Sequence, residues 1–142
     1  MNVRPAILED QPALLRLLGE LREQTVDDQT LQEGLLLLIN DPRRTVLVVE
    51  DSDGPQAMAA VNLVYKLPKI EARIDEVIVG SNSRGKGYGR LLLEACESWA
   101  WEHDAHVIEF TSRPSRDAAN ALYQKLGYEV RETNVYQKKR KG

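Results

Sequence analysis

A strand, a glycine-rich turn and a helix start follow one another between Val77 and Leu91, and that succession limits the folds open to the chain. Val77-Ile78-Val79 is an apolar run, Arg84-Gly85-Lys86-Gly87-Tyr88-Gly89-Arg90 is the turn, and an amphipathic segment begins at Leu91. Glycines adopt backbone dihedrals closed to other residues and let the chain approach a ligand closely. The free N–H groups of the first helical turn, with the positive end of the helix dipole behind them, favour an anion. Arg84, Lys86 and Arg90 add positive charge, so the expected guest is a phosphate or pyrophosphate. Gly80 to Lys86 reads G-x-x-x-x-G-K, the body of a P-loop, but Gly87 stands where that motif needs a Ser or Thr hydroxyl for magnesium. The dinucleotide fingerprint G-x-G-x-x-G starts at Gly85 and Gly87 and meets Arg90 where its third glycine belongs. R-x-x-G-x-G fits without a mismatch, at Arg84, Gly87 and Gly89.

The rest of the chain supplies a sheet and helices around this turn. Val3 to Ile7 forms a short strand. Leu14, Leu17, Leu18 and Leu21 share one helical face, so a helix spans about Asp10 to Gln24, with Asp10 as cap and Pro12 in the first turn. Leu31, Leu35 and Leu38 mark a second helix from about Asp28 to Asn40, ended by Asp41-Pro42. Three strands follow, Thr45 to Glu50, Gln56 to Tyr65 and Ile70 to Val79, joined by the turns Asp51-Ser52-Asp53-Gly54 and Leu67-Pro68-Lys69. The helix after the glycine turn buries Leu92, Ala95, Cys96, Trp99 and Ala100. His106 to Thr111 is a strand, and Ser115 to Leu126 a helix stopped by Gly127. Tyr128 to Arg131 and Val135 to Lys139 close the order as strands: β-α-α-β-β-β-α-β-α-β-β, an α/β or α+β sheet with helices on both faces.

Ile70, Ala72 and Ile74 alternate along one face of their strand, whereas Val77 and Val79 alternate on the opposite parity. A strand changes parity through an extra residue, so a β-bulge is expected near Asp75-Glu76; burial of both faces beyond Ile74 is the alternative.

A chain of 142 residues suits a single domain, 1–142. The formal net charge of −3 gives no reason to expect nucleic acid as a partner. Cys96 is alone, which excludes an internal disulfide framework and suits a cytoplasmic protein. No apolar run reaches membrane-spanning length, and Met1 to Pro5 lacks the apolar core of a signal peptide. His103 and His106 lack a companion cluster at ligand spacing, so no metal site is expected.

The R-x-x-G-x-G match, its flanking strand and helix, and the element order resemble the GNAT superfamily of acetyl-CoA-dependent N-acetyltransferases. The resemblance covers nearly the whole chain. It implies a mixed, mostly antiparallel central sheet, with acetyl-CoA as co-substrate and a primary amine of a small molecule as acetyl acceptor. Arg84, Gly85, Lys86, Gly87, Tyr88, Gly89 and Arg90 would hold the pyrophosphate and pantetheine. The backbone of Val77, Ile78 and Val79 would hold the pantetheine and thioester, in a gap that the bulge opens between two parallel strands. Many relatives dimerise, so a homodimer is possible.

Ala118 to Tyr128 also contains a stretch that resembles the family pattern A-x-x-x-Y-x-x-x-G-F/Y, in which the tyrosine often protonates the coenzyme sulfur; the resemblance implies Tyr123 as the candidate general acid. Packing on the sheet is the other reading of Tyr123, and Tyr128 reads as core. Arg73 to Val79 resembles the corresponding strand of glucosamine-6-phosphate N-acetyltransferases, with two adjacent acids, so Glu76 or Asp75 is the base or water-positioner. Glu109 on the next strand is a further candidate. A solvated or salt-bridged carboxylate is the other reading of each acid. Arg116 stands where relatives often have Asn, which separates it from their pantetheine contact; Arg113 and Arg116 remain candidates for an anionic group or loop charges. Asp117 reads as a first-turn acid. Asp27, Asp28 and Glu33 hint at a cationic acceptor such as a polyamine or aminoglycoside. A protein lysine or N-terminal acetyltransferase is the same-class alternative; a non-catalytic acyl-CoA-binding domain and a P-loop-type nucleotide binder come from other classes.

Overall fold

Val46 to Val49 and Ala57 to Val61 are buried without a break. Strands covered on both faces need such runs, because neither set of alternating side chains meets water. In the computed structural model, which describes residues 1–21 and 27–142, these runs lie in two of the three inner strands of a five-stranded sheet. The strands are β1 (Asn2–Pro5), β2 (Arg44–Asp51), β3 (Gly54–Tyr65), β4 (Ile70–Val79) and β5 (Val107–Glu109), lying side by side in chain order. The first three pairings are antiparallel and β4–β5 is parallel, which gives the mixed, mostly antiparallel sheet expected.

The described residues also form four α-helices: α1 (Gln11–Leu21), α2 (Asp28–Asn40), α3 (Tyr88–Glu102) and α4 (Asp117–Lys125). The chain forms two compact units, Met1–Thr111 with the whole sheet and α1 to α3, and Ser112–Gly142 with α4. In the first unit, Leu14, Leu17 and Leu18 of α1 and Leu35 of α2 pack with Val46, Val48, Met58, Ala60 and Ile78. The intervening residues Leu47, Val49, Ala57, Ala59 and Val61 face the opposite side, where α3 lies against β2, β3 and β4. Leu92, Leu93, Cys96 and Ala100 of α3 are completely buried.

The ends of the elements show where local chemistry departs from pattern. The sequence suggests Asp10 as a helix cap. Its buried carboxylate instead accepts from the Ile7 N–H at 2.9 Å and from both terminal nitrogens of Arg4, at 2.8 and 2.9 Å, tying β1 to the start of α1. Residues 22–24 of the expected first helix lie outside the described residues. Asp27, read as a hint of a cationic acceptor, is the N-cap of α2 and accepts from the Thr30 N–H at 2.8 Å. The α3 helix begins at Tyr88, so the second half of the glycine turn is its first turn. It ends in a Schellman motif: Ala105 N–H donates to Ala100 C=O and Asp104 N–H to Trp101 C=O, with Asp104 at φ +65°.

In the second unit α4 ends the same way, with Gly127 at φ +97°, as its glycine stop suggests. The two closing strands require correction. Tyr128 to Arg131 and Val135 to Lys139 are not assigned as strands. Val130, Val135 and Tyr136 are exposed, so the alternation at these positions has no buried face to satisfy.

Candidate active site

Strand β4 carries the expected bulge. Met58 pairs with Ile78 but Ala60 pairs with Asp75, so Glu76 and Val77 together oppose Ala59. Asp75 and Ile78, three residues apart, consequently share a sheet face with Ala60 and Met58. Glu76 takes the strain, at φ +55° in the left-handed region. A side chain there costs about 1 kcal/mol over glycine. Val77 and Val79 are half-buried while Ile78 is buried, so both faces are covered as well. On its other edge β4 pairs with β5 only from Glu71 to Arg73, the last pair being Arg73 and Glu109. At Val77 to Val79 this edge of β4 has no ladder pairing among the described residues. The two parallel strands part just before the bulge.

The chain then enters the glycine turn. Gly80 N–H donates to Gln56 C=O at 2.8 Å, and Ser81 donates through its N–H and hydroxyl to Glu20 of α1, at 3.0 and 3.1 Å. Ser83 is buried and its hydroxyl donates to Gln56 at 3.3 Å. Gly85 and Gly87 have φ of +79° and +84°. Gly87 is the N-cap of α3 and supplies no side-chain cap, so the amides of Tyr88, Gly89 and Arg90 open the helix without intrahelical acceptors. No atom would lie within 4 Å of a Cβ at Gly85 or Gly87, so the space over the turn is clear. Arg84, Lys86 and Arg90 are exposed, and Arg90 pairs with Glu94 one turn along at 2.8 Å. These features fit a pyrophosphate.

A tether that sequence reasoning missed fixes the turn from β2. The Tyr88 hydroxyl donates to Asp51 Oδ2 at 2.8 Å. This bond holds the Asp51 carboxyl below its usual range and raises the Tyr88 phenol. Asp51 sits in a plain turn sequence, and nothing in the letters marks a reach to residue 88.

The two candidate acids differ. Asp75 is half-exposed, paired with Arg73 at 3.2 Å, and accepts from Asn62 at 3.2 Å. Glu76 of β4 lines a half-open cavity of about 200 Å³ whose other walls come from α1, α2, β2 and β3. Glu109 is the last residue of β5, half-buried.

Tyr123, Arg113, Arg116 and Asp117 belong to the second unit. Asp117 opens α4, and Asn120 Nδ2 donates to the Arg113 carbonyl at 2.9 Å, closing the loop onto the helix. Tyr123 is buried and meets Tyr128 edge to face, with ring centroids 6.5 Å apart. Burial raises the Tyr123 phenol above its ordinary value, against the opposing pull of Arg116, so it stays protonated at neutral pH. Elsewhere, His103 stacks on Trp99 with ring centroids 4.0 Å apart. Burial pushes the Cys96 thiol up to about 12, which leaves it inert as a nucleophile.

Comparison with known proteins follows this geometry. The aminoalkylphosphonate N-acetyltransferase of Salmonella typhimurium strain LT2 is 24% identical over 129 residues, 89% of this chain and 84% of that protein. A solved structure from Agrobacterium tumefaciens str. C58 superposes with a TM-score of 0.89 at 22% identity, covering 98% of this chain and 100% of that one. Glucosamine-6-phosphate N-acetyltransferase from Arabidopsis thaliana gives 0.85 at 17% identity, covering 96% and 97%. The model of the acetyltransferase (GNAT) family matches residues 11–128, from the start of α1 to the tyrosine after Gly127. The chain belongs to the acetyltransferase (GNAT) family and is an acyltransferase enzyme.

Proposed function

We propose that the protein transfers the acetyl group of acetyl-CoA to a primary amine of a small molecule by direct attack in a ternary complex. The observation that carries this reading is the juxtaposition, along β4 and into α3, of a bulged strand, an unpaired parallel edge and a glycine turn on a helix N-terminus. The turn suits the pyrophosphate, and the unpaired β4 edge at Val77 to Val79 suits the amide groups of pantetheine. The resemblance to an N-acetyltransferase supports nitrogen as the acceptor atom.

In the reaction the amine nitrogen bonds to the acyl carbon, the carbon–sulfur bond breaks, the nitrogen loses a proton and the thiolate gains one. A free alkylamine has a pKa of about 10.4, so a proton must leave before attack. Glu76, on a backbone re-aimed by the bulge, is the residue proposed to take it directly or through water. Asp75, with its arginine and asparagine partners, is the weaker of the two candidates. Tyr123, held neutral by burial, is the proposed donor to the leaving sulfur.

The test is a thermal shift with acetyl-CoA, CoA and Mg-ATP side by side, followed by thiol release with amines. At about 100 times its Kd a ligand adds roughly 2.7 kcal/mol to native stability. Stabilisation by both coenzyme forms but not by Mg-ATP is expected. Stabilisation by Mg-ATP alone would return the turn to nucleotide binding.

A further inference from the structure

The cavity beside the bulge has a composition that selects among amines. Its upper wall comes from α1 and α2, including Leu18, Leu31 and Gly34, and its floor from the sheet, including Met58 and Ala60. Glu76 is the one charged residue among the described lining residues. Thr30 is the other polar one, and its hydroxyl donates to Asp27 at 2.9 Å. The described lining residues include no Arg, Lys or His, so they offer a phosphate or phosphonate no counter-charge, and the carboxylate of Glu76 would repel it. A second ammonium, as in a polyamine, would meet leucines.

Gly34 adds a separate indication. It sits inside α2, where glycine costs about 1 kcal/mol relative to alanine. A Cβ there would meet no atom within 4 Å. The helix thus forgoes stability at a point where a larger residue would narrow the cavity. An apolar cavity of roughly 150 Å³ admits benzene, and this one measures about 200 Å³.

We infer that the acetyl acceptor is a primary amine on a compact apolar body, an aryl or alkyl group of about six to eight carbons on that volume comparison, seated in this cavity with its nitrogen toward Glu76. The inference rests on the amine-acetyltransferase reading above and narrows its substrate class. Charge complementarity orients the amine: the carboxylate attracts the ammonium end while the leucine walls accept the body.

The experiment measures thiol release by the full chain at saturating acetyl-CoA. The acceptors are n-propylamine to n-octylamine, 2-phenylethylamine, putrescine, 2-aminoethylphosphonate and glucosamine 6-phosphate. The n-alkylamines share one basicity, so their trend reports apolar contact. Each methylene is expected to raise kcat/KM about fourfold until the cavity fills. The best apolar amine should exceed putrescine and both anionic amines at least about tenfold. A flat series, or preference for a diamine or an anionic amine, overturns the apolar acceptor and leaves amine acetylation standing. Acetyl-CoA binding without turnover of any amine overturns both, and absence of acetyl-CoA binding overturns the underlying reading. Gly34→Leu tests the location. It should lower the ratio of n-heptylamine to n-propylamine kcat/KM at least about tenfold; an unchanged ratio places the apolar body elsewhere. If that variant does not fold, the wild-type series still decides the substrate class.

Discussion

Tyr123 and Tyr128 occupy the two positions that a Schellman motif brings together, the third residue before the helix end and the second after it. The spacing Y-x-x-x-G-Y therefore has a local physical reason: Gly127 turns the chain and sets Tyr128 against the Tyr123 ring, limiting its rotamers. The glycine stop was legible from the letters; the contact between the two rings was not. If Tyr123 protonates the leaving sulfur, Tyr123→Phe should lower kcat about 10- to 100-fold. The Kd for acetyl-CoA, measured by calorimetry, should change little, because the loss falls on the transition state. Unchanged turnover would remove Tyr123 from the chemistry. Glu76→Gln keeps the shape and removes the charge. As loss of a general base it should cost about a hundredfold in kcat/KM near neutral pH. The pH–rate profile distinguishes this role from a structural one: the variant's residual activity should climb with pH as free amine accumulates. The same loss at every pH would assign Glu76 to packing.

At the level of elements, the bulge was readable because side-chain parity is a rigid property of strands, and Ile74 and Val77 break it. The glycine turn was readable because positive φ selects glycine at residues 85 and 87. Gly87→Ala should hold the N-cap of α3 under strain of about 1 kcal/mol or shift the turn. Either way the amide donors move, and the Kd for acetyl-CoA should rise about tenfold or more while the melting temperature falls. The end of α3 was not readable, because Asp104 fills the left-handed position and aspartate carries no unique stop signal. Asp104→Gly, with the same hydrogen bonds, should stabilise the fold by about 0.5–1 kcal/mol in urea unfolding, and a destabilised variant would mean that the side chain has a partner of its own. The ties from Glu20, Gln56 and Asp51 to the turn were also hidden, since they join residues 27 to 61 positions apart in carriers of ordinary composition. The closing strands were misread for the converse reason. Alternation at Tyr128 and Val130 looks like a strand only if one face is buried, and a sequence does not report burial.

Across the whole molecule these local choices set a pH window for stability. Asp10, Asp27, Asp41, Glu50 and Asp51 are all held below their ordinary range, chiefly by hydrogen bonds from Arg4, Thr30, Arg43, Arg4 and Tyr88 respectively. A carboxyl depressed in the folded state adds stability that is complete above its unfolded pKa, about 4, and is lost as pH falls through the folded value. Acid unfolding should therefore begin below about pH 4. The alkaline edge depends on Cys96. Its thiol is raised to about 12 by burial and, secondarily, by Glu97. In the unfolded chain it ionises near 8.5. Above that pH the unfolded state loses a proton that the folded state keeps, so stability must fall as pH rises. One proton over this interval amounts to about 2 kcal/mol between pH 8 and pH 10. Cys96→Val keeps an apolar group of similar size and removes the titration. Urea unfolding at the two pH values should show wild type losing about 2 kcal/mol more than the variant. Equal losses would mean that the thiol reaches water in the folded protein, and that the interior of α3 is more open than its complete burial indicates.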